Sequence, residues 1–255
     1  HVTAVPNLPT AIELTNDGRV TLDLIVLAQG FPRQFSALDV ERLRCNLPTA
    51  PIVTILGSWC EGEERTGTPL PGTQRIYWHR WSSWWATQWL LLEDGRCPDW
   101  GLPVTSAEED RRMQGFAPAL PRWLPQESSR LILVAATQWD MNDLLCEACR
   151  TWGFEPVGVN PHERLPQTSA TAVLWDCRDV GDLTELRRLK QHHDQVPILA
   201  LASFPRWQHH EQLMNEGLAA VLSKPVRLEE LRVVLEPLIR PAKAEPQPQL
   251  LNRVA

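Results

Sequence analysis

Short apolar runs alternate with helix-length segments along the second half of the chain. Five runs predict buried strands, at residues 131–134, 156–159, 171–175, 198–202 and 220–223. Between them lie segments whose apolar residues recur every three or four positions, as in an amphipathic helix. One such helix is predicted to begin at Asp182, with Glu185 completing a capping box. Alternating strands and helices of this length predict a parallel sheet covered by helices on both faces.

The first half of the chain repeats this pattern at similar spacing. Residues 23–28 resemble residues 171–176, and an Arg precedes a Pro by nine residues in both halves. Pro51 is 28 residues before His79, and Pro197 is 27 residues before Lys224. Three matches in the same order predict an internal duplication.

Two segments near the end of the second half carry a family resemblance. Residues 196–203 are an apolar run that ends at Ser203, and residues 221–226 contain Lys224 followed by Pro225. These segments resemble strand 4 and strand 5 of a response-regulator receiver domain, the CheY-like family. The resemblance implies a flavodoxin-like, doubly wound parallel sheet with strand order 2-1-3-4-5. It implies a second such sheet in the first half, which lacks strand 1 and helix 1.

The resemblance also divides the chain into segments. Residues 1–95 are predicted to be a truncated, degenerate receiver-like domain, in which residues 1–5 form strand 2 and residues 8–14 form helix 2. A Pro-rich linker is predicted next, then the second receiver-like domain and a disordered tail. These three segments span residues 96–128, 129–240 and 241–255.

Receiver domains carry out phosphoryl transfer at the carboxyl ends of their strands, and the resemblance locates those positions here. Asp176 takes the place of the phospho-acceptor and Lys224 that of the lysine, while Ser203 follows the hydroxyl position by one residue. Ala135 and Ala136 stand where the family has its Mg²⁺-binding acidic pair. Magnesium needs carboxylate oxygens, so Mg²⁺ is expected only if Asp176 can be phosphorylated, and no other metal or cofactor is expected.

The sequence therefore predicts a pseudo-receiver: a non-catalytic signalling module of a two-component-type phosphorelay that has lost phosphorylation. One alternative is a response regulator that is phosphorylated on Asp176. Another is an enzyme in the first half, where Ala28 replaces the acceptor and His79 the lysine, and Cys60 follows strand 4. A thiolate beside an imidazole would form a nucleophilic site.

Five of the twelve tryptophans cluster at residues 78–89. Trp81, Trp85 and Trp89 recur at every fourth position and share one helix face, which Trp84 cannot join. The stripe can pack under its own sheet, but not all of these indoles can do so at once. A surface for a protein partner is therefore predicted at Trp81, Trp84, Trp85 and Trp89. A histidine kinase or another regulator is the expected partner, and a homodimer is also compatible with this surface.

Composition narrows the function classes. The 255 residues carry a formal net charge of -6, which is opposite to the charge of a nucleic-acid-binding surface. No apolar run reaches the ~20 residues that cross a bilayer, and no signal-peptide pattern is present. Six cysteines in a chain of this size suit reduced thiols, so a cytoplasmic protein without nucleic-acid or membrane partners is expected.

Overall fold

The protein is described by a computed structural model, which covers residues 1–16, 18, 20–103, 106 and 131–239. Contacts divide the chain into two compact units. One comprises residues 1–81 and 91–117, and the other comprises residues 82–90 and 118–255. The predicted tail at 241–255 and most of the predicted linker lie outside the described residues. The domain boundaries drawn from the sequence therefore stay predictions.

The second unit contains a five-stranded sheet in which every neighbouring pair is parallel. Its strands are β4 (Leu131–Ala135), β5 (Glu155–Val159), β6 (Ala172–Cys177), β7 (Ile198–Ser203) and β8 (Ala220–Lys224). Its helices are α5 (Trp139–Thr151), α6 (Thr184–His192), α7 (Trp207–Asn215) and α8 (Leu228–Ile239). The strand order β5-β4-β6-β7-β8 corresponds to 2-1-3-4-5 and confirms the predicted doubly wound topology.

Alternating side chains of this sheet enter two separate cores. Ile132 and Val134 pack with Leu145 of α5 and Leu231 of α8. On the opposite face, the side chains of Leu133 and Ala135 join a cluster that includes residues of α6 and α7. Successive strand residues point to opposite faces, so strands buried on both faces need the continuous apolar runs seen in the sequence.

The first unit contains a smaller parallel sheet with the order β1-β2-β3. The strands are β1 (Ile25–Gln29), β2 (Ile52–Leu56) and β3 (Gln74–Tyr77). The helices of this part of the chain are α1 (Leu8–Thr15), α2 (Ala37–Asn46), α3 (Glu63–Thr66) and α4 (Trp81–Glu93). Residues 82–90 of α4 belong to the second unit. Among the described residues, no helix is both long and apolar enough to cross a membrane.

The prediction of a strand at residues 1–5 is wrong, because these residues have no regular secondary structure. In the order 2-1-3-4-5, strand 2 pairs with strand 1 alone, and the sheet of the first unit begins at β1, the counterpart of strand 3. Among the described residues, no strand occupies the position of strand 1, to which a strand at residues 1–5 would bond. The helix predicted at residues 8–14 is confirmed as α1.

The two sheets share their strand registers. Ala28 pairs with Ile55, four residues after Pro51, and Asp176 pairs with Leu201, four residues after Pro197. The same alignment can be continued to the last strand of each sheet. Leu56 pairs with Tyr77, and the corresponding Ala202 pairs with Ser223, so Tyr77 corresponds to Ser223. The residues that follow them, Trp78 and Lys224, therefore correspond to each other. The assignment of His79 to the lysine position is therefore wrong by one residue.

Neighbouring leucines of α5 provide a test of the core. Leu145 is fully buried, whereas Leu144 is 50% exposed. We expect Leu145→Ala to lower the free energy of unfolding by about 2–5 kcal/mol, because it removes buried contacts and leaves a cavity. Leu144→Ala is the matched control and should change it by less than about 0.5 kcal/mol. Urea unfolding measures both, and equal effects would contradict the described packing.

Candidate functional site

A buried ion pair lies at the carboxyl ends of the strands in the five-stranded sheet. The Nζ atom of Lys224 is 2.5 Å from Oδ1 of Asp176 and donates a further hydrogen bond of 3.4 Å to the carbonyl oxygen of Cys177. The side chain of Asp176 is 1% exposed and that of Lys224 is 16% exposed. A buried carboxylate is costly unless it is paired, so Lys224 supplies the charge that Asp176 requires.

The parallel sheet brings the two residues together. Asp176 lies near the end of β6 and Lys224 is the last residue of β8, with β7 between the two strands. Ser203, the last residue of β7, pairs directly with Lys224 and is exposed. The structure thus places Asp176, Ser203 and Lys224 at the carboxyl ends of three adjacent strands, as the sequence predicted.

The residues beside this pair do not suit a magnesium ion. Ala135 ends β4 and is paired with Trp175, and both Ala135 and the following Ala136 are buried. Asp179 is exposed, and its Oδ1 accepts a hydrogen bond of 2.8 Å from the amide of Gly181. Within the described part of the chain, no group of three His, Cys, Asp or Glu side chains could hold a metal. The two alanines supply no carboxylate for a hard divalent ion, and Lys224 already binds the carboxylate of Asp176.

A hydrogen-bonded chain next to the ion pair was not predicted from the sequence. The Nε1 atom of Trp175 donates to Oε2 of Glu185 at 2.8 Å, and Oε1 of Glu185 lies 2.9 Å from Nε2 of His162. Arg188 also holds this loop by donating to the carbonyl oxygen of Pro161 at 2.8 Å. These contacts fix the segment between β5 and β6 on α6, next to the strand that carries Asp176.

The capping box predicted at Asp182 and Glu185 is wrong. Helix α6 begins at Thr184, and Asp182 instead accepts a 2.9 Å hydrogen bond from the amide of Thr184. Glu185 turns inward to Trp175, because the buried indole N–H needs an acceptor. The capping box was predicted from the spacing of Asp182 and Glu185 along the chain. The indole N–H of Trp175 requires an acceptor only because folding buries it, and the local spacing does not show this.

Cys60 has the environment of a structural thiol. It is fully buried, and its Sγ donates a weak 3.5 Å hydrogen bond to the carbonyl oxygen of Gln29. Burial and the nearby carboxylate of Glu63 raise the pKa of this thiol, which favours its protonated form. That carboxylate is itself bound by Arg75, at 2.5 Å. These features oppose a thiolate nucleophile.

His79 lies in a single 3₁₀ turn, Trp78–Arg80, and its ring stacks on Tyr77 at a centroid distance of 5.7 Å. The pairing of Cys60 with His79 as a nucleophilic site stays a prediction.

Helix α4, which carries the clustered tryptophans, buries a different face from the one that the sequence suggested. Its buried residues are Ser83, Trp84, Gln88 and Leu91, whereas Trp89 is 51% exposed. Trp81 and Trp85 are half-buried, and the Trp85 ring lies 6.4 Å from that of Trp89. Within the second unit, the hydroxyl of Ser83 donates to Oε2 of Glu230 at 3.0 Å. Of the four tryptophans predicted to meet a partner, Trp84 offers no exposed surface, and Trp89 offers most.

Comparison with known proteins gives a similarity of fold. No protein-family model and no curated protein matches the chain. Solved structures that resemble part of the chain include response-regulator receiver domains. One from Clostridium thermocellum is 19% identical, with a TM-score of 0.39, over 43% of this chain and 94% of its own. The HemR receiver domain from Leptospira biflexa is 18% identical, with a TM-score of 0.39, over 46% of this chain and 98% of its own.

NtrX from Brucella abortus also resembles the chain, at 19% identity and a TM-score of 0.39. The match covers 44% of this chain and 26% of NtrX, so the chain spans only a minor part of that protein. At these identities the similarity concerns the fold of the matched part.

Removal of Lys224 tests the ion pair. We expect Lys224→Met to lower the free energy of unfolding by about 3–5 kcal/mol, because it leaves the Asp176 carboxylate buried and unpaired. Arg150→Met is the control, since Arg150 and its partner Glu147 are both largely exposed, and it should cost less than about 1 kcal/mol. Chemical denaturation measures both, and a stability of Lys224→Met equal to that of the wild type would contradict the pairing.

Thiol reactivity tests the role of Cys60. Cys45 and Cys97 are exposed, whereas the other four thiols are buried, and burial raises the pKa of Cys149 and Cys177 to about 12. At about pH 8, iodoacetamide should therefore modify Cys45 and Cys97 of the folded protein first and the remaining four only after unfolding. Peptide mass spectrometry locates the modified thiols. Rapid alkylation of Cys60 would instead support the nucleophilic site.

Proposed function

We propose that the chain is a regulatory module of a two-component-type signalling system that acts through protein contacts without phosphorylation or catalysis. The observation that supports this proposal is the buried Asp176–Lys224 pair, with Ala135 and Ala136 at the end of the neighbouring strand. The similarity to receiver domains supports the fold, and the side chains at the carboxyl edge support the loss of phosphorylation.

Phosphoryl transfer depends on charge neutralisation by a metal ion as well as by a lysine. Here Asp176 has its lysine, and the alanines supply no second carboxylate for magnesium. The retained pair then serves to stabilise the carboxyl edge, because each charge satisfies the other. On this proposal the module needs no metal or cofactor.

The partner is a protein, such as a histidine kinase or another regulator. Trp89 is exposed on α4 and offers apolar area for such a contact. Six free thiols suit a reducing cytoplasm, where two-component partners would meet the module. A net charge of -6 supports a protein partner over a nucleic acid.

A second candidate function is that of a response regulator phosphorylated on Asp176. It is favoured by one arrangement: Asp176, Lys224 and the exposed Ser203 all lie at the same edge of the sheet. Lys224 and Ser203 are the types of side chain that contact phosphoryl oxygens. This candidate requires magnesium to bind without a carboxylate at the end of β4, where Ala135 and Ala136 lie.

Chemical phosphorylation separates the two candidates. The protein is incubated with acetyl phosphate and MgCl₂, and its intact mass is measured, with Asp176→Asn as the control. We expect no phosphoryl adduct on the wild type, because the site offers too few oxygen ligands to hold the metal. An adduct that appears on the wild type and is missing from Asp176→Asn would refute the proposal. The variant Ala135→Asp/Ala136→Asp adds the missing carboxylates and tests whether their absence is the cause.

A further inference from the structure

The second unit buries a histidine that takes no part in the Asp176–Lys224 pair. His193 directly follows the last residue of α6, and its side chain is 4% exposed. Its backbone amide donates to the carbonyl oxygen of Leu189 at 2.9 Å, and Leu189 is fully buried in the core one helical turn earlier. The imidazole therefore extends the buried face of α6 beyond the end of the helix.

The Nε2 atom of His193 is buried and has no hydrogen-bond partner among the described residues. A neutral imidazole carries one N–H donor, whereas the charged form carries two. Protonation would bury a charge and leave its Nε2–H without an acceptor, and both effects disfavour the charged form. Burial accordingly lowers the pKa of His193, and the charge of His192 lowers it further.

The charged groups near His193 do not compensate a proton on its ring. The charge of His192 repels it. Within the described part of the chain, no hydrogen bond joins the Nε2 atom to Lys190 of α6 or to Glu216 after α7. Asp194 is exposed and accepts a 3.3 Å hydrogen bond from the side-chain amide of the next residue. Strand β7, which follows the turn, carries no charged residue.

His193 also belongs to the turn that leads from α6 into β7. The amide of Val196 donates to the carbonyl oxygen of His193 at 3.2 Å, which closes the turn. The amide of Val173 in β6 then donates to the carbonyl oxygen of Pro197 at 2.9 Å, where β7 enters the sheet. A charged ring could be hydrated only by leaving the core, and this turn is the segment that would have to move.

We propose that His193 is an acid-sensitive switch that loosens the turn between α6 and β7. Near neutral pH the uncharged ring stays buried and the turn is closed. When the ring takes up one proton from solvent, it leaves the core to be hydrated, and the hydrogen bonds of the His193 and Val196 amides open with it. This inference is independent of the proposed function, because it involves neither the chemistry of Asp176 nor a partner.

Unfolding in urea over a pH series tests the switch. In the unfolded chain His193 has the ordinary imidazole pKa of ~6.5, which lies above its pKa in the fold. Its contribution to stability is therefore complete above that pH and is lost as the pH falls. Relative to His193→Gln, the unfolding equilibrium constant of the wild type should rise by up to about tenfold per pH unit below the unfolded pKa. Burial also lowers the pKa of His210, but that contribution is common to both proteins.

His192→Gln is the matched control, since His192 is the exposed neighbour of His193 on the chain. It should keep most of the pH dependence of the wild type, because the burial of the His193 ring is unchanged. Parallel pH dependence in the wild type and His193→Gln would overturn the proposal.

NMR of the wild type gives a second test that does not depend on the folding of a variant. The imidazole of His193 should titrate at a lower pH than that of His192. Hydrogen exchange, corrected for the intrinsic rate at each pH, should show the amides of His193 and Val196 losing protection before that of Leu145 in α5. A His193 ring that titrates at or above the pH of His192, or amides that stay protected once the ring is charged, would refute the switch.

Discussion

A carboxylate buried at the end of β6 has to be neutralised, and Lys224 does so from the last position of β8. This requirement links three adjacent strands, because β7 must hold β6 and β8 in the register that brings the two side chains together. Two packed faces of apolar side chains fix that register. The pair therefore stabilises the carboxyl ends of these strands.

The first unit buries a different ion pair, Glu63–Arg75, near the end of β1. Ala28 stands at the position of Asp176 and Trp78 at that of Lys224, so no buried carboxylate needs a lysine. Among the described residues its sheet has three strands, which match β6, β7 and β8 of the larger sheet in order and direction. The internal duplication suggested by these matching registers stays a prediction.

The strands and helices of the second unit could be predicted from the sequence, because strands buried on both faces leave unbroken apolar runs. Asp176 and Lys224 could be found because both directly follow such runs. The sequence could not give the role of Glu185, which depends on a tryptophan ten residues away. Helix periodicity also could not predict which face of α4 is buried, because tryptophans occur on more than one face. The structure buries Trp84. The strand predicted at residues 1–5 failed because local pattern carries no information about whether a pairing partner exists.

The central claim is that the Asp176–Lys224 pair is structural and does not accept a phosphoryl group. A titration with magnesium and beryllofluoride, a phosphoryl mimic, followed by tryptophan fluorescence tests it most directly. Trp175 precedes Asp176 in β6 and reports on the site, and Trp175→Phe identifies its share of the signal. The account predicts no saturable change in the wild type. A saturable change that requires magnesium and disappears in Asp176→Asn would contradict it and establish a working acceptor site.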